Sequence, residues 1–240
     1  MTVLITMAGA GTRFLRNNFN DPKHMICVKD KSLFEWSMLS LTQFFSQRFV
    51  FVCQSNHDTD WIHRKAESLG IHDIIVSQRK TLSCGQAETA YDALELLKED
   101  DKFWIFNIDT YISSAPSQDI MGDADGCIPA FDSTDSSLSY VARDTEGFAI
   151  EIAEKKCISK WASPGLYGFK NTLVFREAYE KTYLTTSKRQ NQTNHIERYV
   201  APVYQTLLMQ SATISAPIID AKDVHILGTP EDLIQFGKSE

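Results

Sequence analysis

Cysteine is sparse and scattered: Cys27, Cys53, Cys84, Cys127 and Cys157 are odd in number and form no C-x-x-C pair. That spacing argues against a zinc site and against a disulfide framework. A reduced, cytoplasmic protein is the simplest account. No apolar run approaches the roughly 18 residues of a membrane-spanning helix. No basic segment precedes an apolar one at the start, so no signal peptide is expected. Positive charge is in deficit, with 24 Lys and Arg against 31 Asp and Glu and a net charge of −7. Such a chain is a poor partner for nucleic acid or an anionic membrane. Cations for a phosphate ligand must therefore be supplied locally. Linkers, repeats and low-complexity tracts are absent as well, and 240 residues suffice for one sizeable α/β domain, expected to span 1–240.

What is present alternates. Val3–Met7, Arg48–Cys53, Asp73–Ser77 and Phe103–Ile108 are apolar runs of strand length. Between them the spacing predicts helices over Leu33–Phe45, capped by Ser32, over Asp58–Leu69, closed by Gly70, and over Gly85–Leu97. This alternation implies a mainly parallel sheet with helices on both faces. The second half changes character. Gly126–Phe131, Leu138–Arg143, Phe148–Glu154 and Gly165–Phe169 are short runs that suggest a mixed or antiparallel extension. Helices are expected over Thr172–Tyr183, His195–Met209 and Pro230–Phe236, and short strands over Ala212–Ala216 and Val224–Leu227. The polar stretch Leu184–Asn194 is expected to be a loop.

In an open α/β sheet, ligands bind beyond the carboxyl ends of the strands. After the first strand comes Met7-Ala8-Gly9-Ala10-Gly11-Thr12-Arg13, and ten residues past Arg13 comes Pro22-Lys23. Gly9 and Gly11 let backbone N–H groups approach a polyphosphate, and Arg13 and Lys23 can neutralise charge on a phosphoryl group. The same residues also fit a plain glycine turn with two solvated cations. The loop lacks the third glycine of a dinucleotide fingerprint and the G-K-[ST] ending of a Walker loop. After the third strand, Gly85 would admit a flat base whose edge the amide of Gln78 or Gln86 can meet. A loop packing small residues on the sheet is the alternative. After the fourth strand, Asn107-Ile108-Asp109 puts a carboxylate at the sheet mouth, where a cation such as Mg²⁺ would stabilise it. Further on, Glu154-Lys155 follows an apolar strand, with a solvated charge cluster as the alternative.

Taken together, the Gly9–Lys23 pattern resembles the G-x-G-[ST]-R…P-K signature of the nucleotidylyltransferases, enzymes that join a nucleoside monophosphate to a sugar phosphate. The resemblance continues through Gly85-Gln86-Ala87, Asn107-Ile108-Asp109, Glu154-Lys155 and Gly165-Leu166-Tyr167 to Gly228-Thr229-Pro230-Glu231-Asp232. It implies an α/β, Rossmann-like three-layer sandwich with a mixed, mainly parallel sheet. It also implies a nucleotide-binding half (1–110) and an acceptor-binding half (111–240), in the manner of short capsule and surface-polysaccharide enzymes. The implied roles are Arg13, Lys23 and Asp109 for catalysis, and Met7, Ala8, Gly9, Ala10, Gly11, Thr12, Gln78, Gly85 and Gln86 for the nucleotide. Glu154, Lys155 and Gly165 would serve the acceptor, and Asp109 would hold Mg²⁺. Many members carry an aspartate two residues before the G-T-P as a second metal ligand. Here that position is Ile226, so a second carboxylate comes from elsewhere, such as Asp223 or Asp220, or is absent.

The implied partners are a nucleoside triphosphate and a phosphorylated small-molecule acceptor, with no nucleic acid and no membrane; a homo-oligomer is left open. A cytidylyltransferase acting on phosphocholine or a polyol phosphate is a rival reading. A glycosyltransferase is another, although such an enzyme need not grip a triphosphate tail. A non-catalytic nucleotide-binding regulator is a third.

Overall fold

The computed structural model describes residues 1–17, 19, 21–185 and 197–239. Its centre is a seven-stranded sheet in the order Ile214–Ser215, Gly126–Cys127, Leu166–Phe169, Phe103–Asn107, Thr2–Met7, Arg48–Gln54, Ile74–Arg79. The last four of these run parallel, with Thr2 opposite both Arg48 and Phe103. Leu166–Phe169 is antiparallel to Phe103–Asn107, so the sheet is mixed but mainly parallel. The strand Thr2–Met7 lies between two parallel neighbours, and Val3, Leu4 and Ile5 are fully buried. Continuous apolar character is what burial on both faces demands.

Side-chain alternation divides this strand between two cores. Val3, Ile5 and Met7 pack with Phe34, Met38 and Ile62 from the helices Leu33–Leu39 and Thr59–Ser68. Leu4 packs with Ala87 and Ala90 of the helix Gln86–Asp92 and with Phe175, Tyr179 and Tyr204. Helices thus cover both faces, as the alternation implied.

Several helices are shorter than their apolar spacing predicts. The expected Leu33–Phe45 helix stops at Leu39 and continues as a 3₁₀ turn, Thr42–Phe44. There the Ser40 hydroxyl accepts the Ile112 N–H at 2.8 Å, tying the helix end to a neighbouring strand. The expected Gly85–Leu97 helix becomes Gln86–Asp92 plus a 3₁₀ turn, Leu94–Leu96. Thr172–Tyr183 becomes an α-helix to Tyr179 and a π-helical stretch, Glu180–Thr185. The helix expected from His195 begins at Ala201, because Pro202 lacks an N–H and belongs in a first turn. The first two residues of the predicted Leu184–Asn194 loop end that π-helical stretch, and the rest of the loop lies outside the described residues, as do His195 and Ile196.

The run Gly126–Phe131 divides at Pro129. Gly126–Cys127 joins the large sheet, while Phe131–Asp132 joins a separate antiparallel sheet with Ser139–Arg143, Ala149–Glu154 and Trp161–Ala162. The pairing of Thr110–Ile112 with Val224–Ile226 has no signal in the sequence pattern. It sets Ile226 opposite Thr110, and Leu227 N–H donates to the Asp109 carbonyl at 2.8 Å. The chain's closing segment is thereby brought to the end of the fourth strand. Among the described residues no helix is long and apolar enough to cross a membrane.

Ser32 is buried and forms a reciprocal cap with Glu35. Its hydroxyl accepts the Glu35 N–H at 3.2 Å, and a Glu35 carboxylate oxygen accepts the Ser32 N–H at 2.9 Å. Ser32→Ala should cost about 1–2 kcal/mol, the upper part of the range for a lost cap, since the site is buried. Urea unfolding of the two proteins measures it.

Candidate active site

Two cavities open along the carboxyl ends of the parallel strands. The larger has a volume of about 720 Å³, and the smaller about 270 Å³. They share a wall that includes Arg13, Gln86, Asn107, Asp109, Tyr199 and Gly228. Met7, Ala8, Gly9, Ala10, Gly11, Thr12, Lys23 and Gly85 line the larger cavity. Glu154, Lys155 and Gly165 line the smaller. The sequence candidates from both halves of the chain therefore converge, with the exceptions of Gln78, Asp220 and Asp223.

The floor of the larger cavity is built by the first strand and its succeeding loop. Beyond Met7 the loop runs to Gly11 and turns into the short helix Thr12–Leu15. The Gln54 amide, from the neighbouring strand, donates to the Gly9 carbonyl at 2.6 Å and steadies the loop. Pro22 then starts a 3₁₀ turn, Lys23–Met25, which returns Lys23 to the cleft. Its ammonium lies 2.5 Å from Asp109 Oδ2, an ion pair that is part-buried on both sides, and 5.3 Å from the centre of the Phe14 ring. A Cβ placed on Gly228 would sit 3.4 Å from Asp109 Oδ2 and 3.9 Å from Arg13 Nη1. The lack of a side chain at 228 leaves room for those groups to face one space.

Polar atoms are left unsatisfied along this wall. Among the described residues, His24 Nε2, His57 Nδ1, Gln86 Nε2 and Asn107 Oδ1 are buried side-chain atoms without a hydrogen-bond partner, and all four residues line the larger cavity. The remaining such atom, Trp104 Nε1, belongs to a fully buried core residue. Buried polar atoms are normally paired. Four of the five such atoms among the described residues belong to residues that line one cavity. Neither histidine stood out in the sequence. Their rings are 4.5 Å apart. Burial, and secondarily the neighbouring His57, push His24 down to about 3, and burial also lowers His57. Both imidazoles are therefore neutral hydrogen-bonding groups. The only local signals were adjacency to Pro22-Lys23 and the position of His57 just past the second strand.

The smaller cavity has a different character. Glu154 is partly buried there. Burial raises its pKa above the usual carboxylate value, offset in part by a hydrogen bond from the Ser139 hydroxyl. The Lys155 ammonium donates to the Tyr199 hydroxyl and lies 4.2 Å from that ring's centre, and the Tyr199 hydroxyl in turn donates to Glu197. Asp135 and Asp232 add carboxylates to the lining. Glu197 and Tyr199 line both cavities and were not singled out in the sequence.

Gln78, Asp223 and Asp220 are elsewhere. The Gln78 amide donates to the carbonyls of Ser55 and His57 at 3.2 and 3.1 Å, and the residue lines neither cavity. Gln86 alone of the two glutamines faces the cleft. Asp223 accepts from the Ser113 hydroxyl at 3.0 Å, and Asp220 pairs with Lys222 at 2.9 Å. Neither aspartate lines either of these two cavities. Ile226 lines the smaller one, so an apolar side chain occupies the place where a second carboxylate was sought. Among the described residues there is no group of three or more His, Cys, Asp or Glu able to hold a metal ion.

No family model matches the chain, and no curated protein matches it by sequence. Solved structures do match. A nucleoside-diphosphate-sugar pyrophosphorylase from Vibrio cholerae RC9 superposes with a TM-score of 0.89 at 28% identity, over 100% of both chains. An inositol-1-phosphate CTP transferase from T. maritima gives a TM-score of 0.74 at 18% identity, over 99% of this chain and 96% of its own. A UDP-glucose pyrophosphorylase from Acinetobacter baumanii gives 0.72 at 15%, over 98% of this chain and 91% of its own. The last two share the fold.

Glu154 sets a pH dependence of stability. Below the unfolded-state pKa the carboxyl is neutral in both states and burial carries no charge penalty. Above the raised native pKa the folded state must hold a carboxylate that burial disfavours. Glu154→Gln keeps an acceptor for Ser139 and removes the charge. It should stabilise the fold at roughly pH 8, and the gain should vanish as the pH falls to about 4. Parallel urea titrations at the two pH values test this; a gain that persists unchanged at the lower pH would rule it out.

Proposed function

We infer that this chain, a member of the nucleotidylyltransferase family, transfers a nucleotidyl group from a nucleoside triphosphate to a phosphorylated small molecule and releases pyrophosphate. The observation that carries the reading is the meeting of two polar cavities at Arg13 and Asp109, with the glycine loop and Lys23 on one side and Glu154 and Lys155 on the other. In this reading residues 1–110 form the nucleotide-binding half and 111–240 the acceptor half. A cavity of about 720 Å³ lies within the usual range for a ligand the size of a nucleotide.

The chemistry derives from charge and position. An oxygen of the acceptor's phosphate attacks the α-phosphorus in line. A P–O bond forms there as the bond to the β-phosphate breaks, and the electron pair leaves with pyrophosphate. The attacking oxygen is already anionic near neutral pH, so no general base is needed, and catalysis reduces to positioning and charge stabilisation. Arg13 and the amides of the Gly9–Thr12 loop hold the triphosphate tail. Lys23 stabilises charge on the α-phosphoryl group. Gln86, whose buried amide nitrogen has no protein partner among the described residues, reads the base. Lys155 holds the acceptor's phosphate, and Glu154 meets its polar groups.

Asp109 would hold Mg²⁺. A part-exposed carboxylate already paired with Lys23, and outside any group of three or more possible metal ligands among the described residues, fits an ion that arrives with the triphosphate rather than a resident one. When bound, the ion supplies charge neutralisation at the phosphates.

A sugar phosphate is the leading acceptor class, with a place in capsule or surface-polysaccharide synthesis and in the cytoplasm. The second reading is cytidylyl transfer to a phosphorylated non-sugar alcohol, such as phosphocholine or a polyol phosphate. It is favoured by the small volume of the acceptor cavity, about 270 Å³, and by the carboxylates of Asp135, Glu154 and Glu197 around it.

A panel of nucleoside triphosphates crossed with sugar phosphates, phosphocholine and polyol phosphates, read by pyrophosphate release, decides between them. One pair should release pyrophosphate in step with product, and silence across the panel would contradict the assignment. With the active pair, Lys23→Ala should lower kcat by the equivalent of about 2–4 kcal/mol. Arg13→Ala should chiefly raise the KM for the triphosphate, and Lys155→Ala the KM for the acceptor.

A further inference from the structure

We infer that Arg198 is the positioning residue that fixes the loop Cys84–Ala87, and that selectivity among nucleoside triphosphates depends on it. The inference rests on the reading of this loop as the base-binding element. Arg198 lies outside both cavities yet holds the loop from two directions. Through its backbone, its N–H donates to the Cys84 carbonyl at 2.7 Å and its carbonyl accepts the Ala87 N–H at 3.0 Å. Gly85, between those bonds, has φ 149°, and a Cβ there would lie 2.4 Å from the Arg198 carbonyl oxygen. Only glycine permits so close an approach at this backbone angle.

The side chain closes the second connection. The Arg198 guanidinium donates to Glu88 Oε1 at 2.9 Å and to the Tyr179 hydroxyl at 2.8 Å. The other oxygen of Glu88 accepts the Cys84 N–H at 2.6 Å and lies 3.6 Å from Arg79. Thr89 adds a bond to the Ser83 hydroxyl at 2.8 Å. A continuous path therefore runs from Tyr179 through Arg198 and Glu88 to the backbone directly before Gly85 and Gln86. Gln86 lines the cavity, and its buried Nε2 has no partner of its own among the described residues, so its placement is set by the loop that carries it. The neighbours of Arg198, Glu197 and Tyr199, line both cavities. One short segment thus borders the acceptor space and braces the base-reading loop. By contrast, the phosphate-facing groups Arg13, Lys23 and the Gly9–Thr12 loop make none of these bonds.

That separation gives a test that a merely structural role would not pass. The full chain is titrated calorimetrically, with Mg²⁺, against ATP, CTP, GTP, UTP and dTTP, and against inorganic tripolyphosphate as a probe without a base. Arg198→Met keeps the aliphatic stem and loses the charge-assisted bonds. It should weaken the preferred nucleotide by about 10–100-fold, compress the differences among nucleotides, and leave tripolyphosphate within about twofold of wild type. Arg198→Lys should recover part of the preference, since it returns a cation toward Glu88 on a shorter side chain than the one whose Nη1 meets both Glu88 and Tyr179. Selectivity ratios that survive in Arg198→Met would overturn the inference. Should that variant lose its fold by circular dichroism, Glu88→Gln cuts the same path and is judged by the same ratios. A wild-type protein that binds tripolyphosphate as tightly as every nucleotide would refute base reading itself, and this inference with it. Nucleotide preference in the wild type with unchanged ratios in the variants would refute only the role of Arg198.

Discussion

The ion pair between Lys23 and Asp109, 2.5 Å long and part-buried, is the interaction on which the cleft depends. It joins the turn after the glycine loop to the end of the fourth strand, across 86 residues of sequence. A part-buried lysine or aspartate without its partner carries a desolvation penalty that the pair offsets. The pair also sets the geometry of everything above it. The Lys23 ammonium lies over the Phe14 ring, and Asp109 is held where Arg13 and Gly228 face the same space. The charges that satisfy each other here are the charges a polyphosphate and its cation would engage.

The second half of the chain supplies the other wall. The pairing of Thr110–Ile112 with Val224–Ile226 brings Gly228 against Asp109, and the antiparallel strand Leu166–Phe169 beside Phe103–Asn107 brings Gly165 against Asn107. Ala149–Glu154, in the separate sheet, delivers Glu154 and Lys155 to the smaller cavity. Two spaces with a common wall result from this arrangement. The larger is rich in backbone amides, fixed cations and unsatisfied polar atoms. The smaller is rich in carboxylates, with one lysine held by a tyrosine. Such a difference in chemistry on either side of Arg13 and Asp109 suits two phosphorylated substrates that must meet at one phosphorus atom.

Much of this was legible from local pattern. Strand burial on both faces makes an unbroken apolar run, and Thr2–Met7 shows one. A carboxylate that ends such a strand in a parallel sheet has only the sheet mouth to face, so Asp109 was legible too. The helix ends were not, because Ser40 and Pro202 act through a tertiary bond and a missing donor that periodicity does not register. Gln78 and Asp223 were misplaced for a related reason. Each has the right chemistry near the right strand end, but the Gln78 amide serves the Ser55–His57 turn and Asp223 serves Ser113. Arg198 and the His24–His57 contact were invisible, since their partners are brought together by the fold and not by spacing along the chain.

With Ile226 in the position where a second carboxylate was sought, and Asp220 and Asp223 directed elsewhere, Asp109 is the carboxylate at the end of the fourth strand and is already paired with Lys23, while Glu197 of the shared wall accepts from Tyr199. Metal binding should therefore depend on the nucleotide: the free chain offers too few ligands for Mg²⁺, and phosphate oxygens and water must complete the octahedron. Calorimetric titration of Mg²⁺ into the free chain, and into the chain saturated with its preferred triphosphate, tests this most directly. Weak binding to the free chain, tight binding to the nucleotide complex, and loss of the tight phase in Asp109→Asn are the predicted results. Tight Mg²⁺ binding by the free wild-type chain would contradict this dependence, because it would require a second carboxylate in the site.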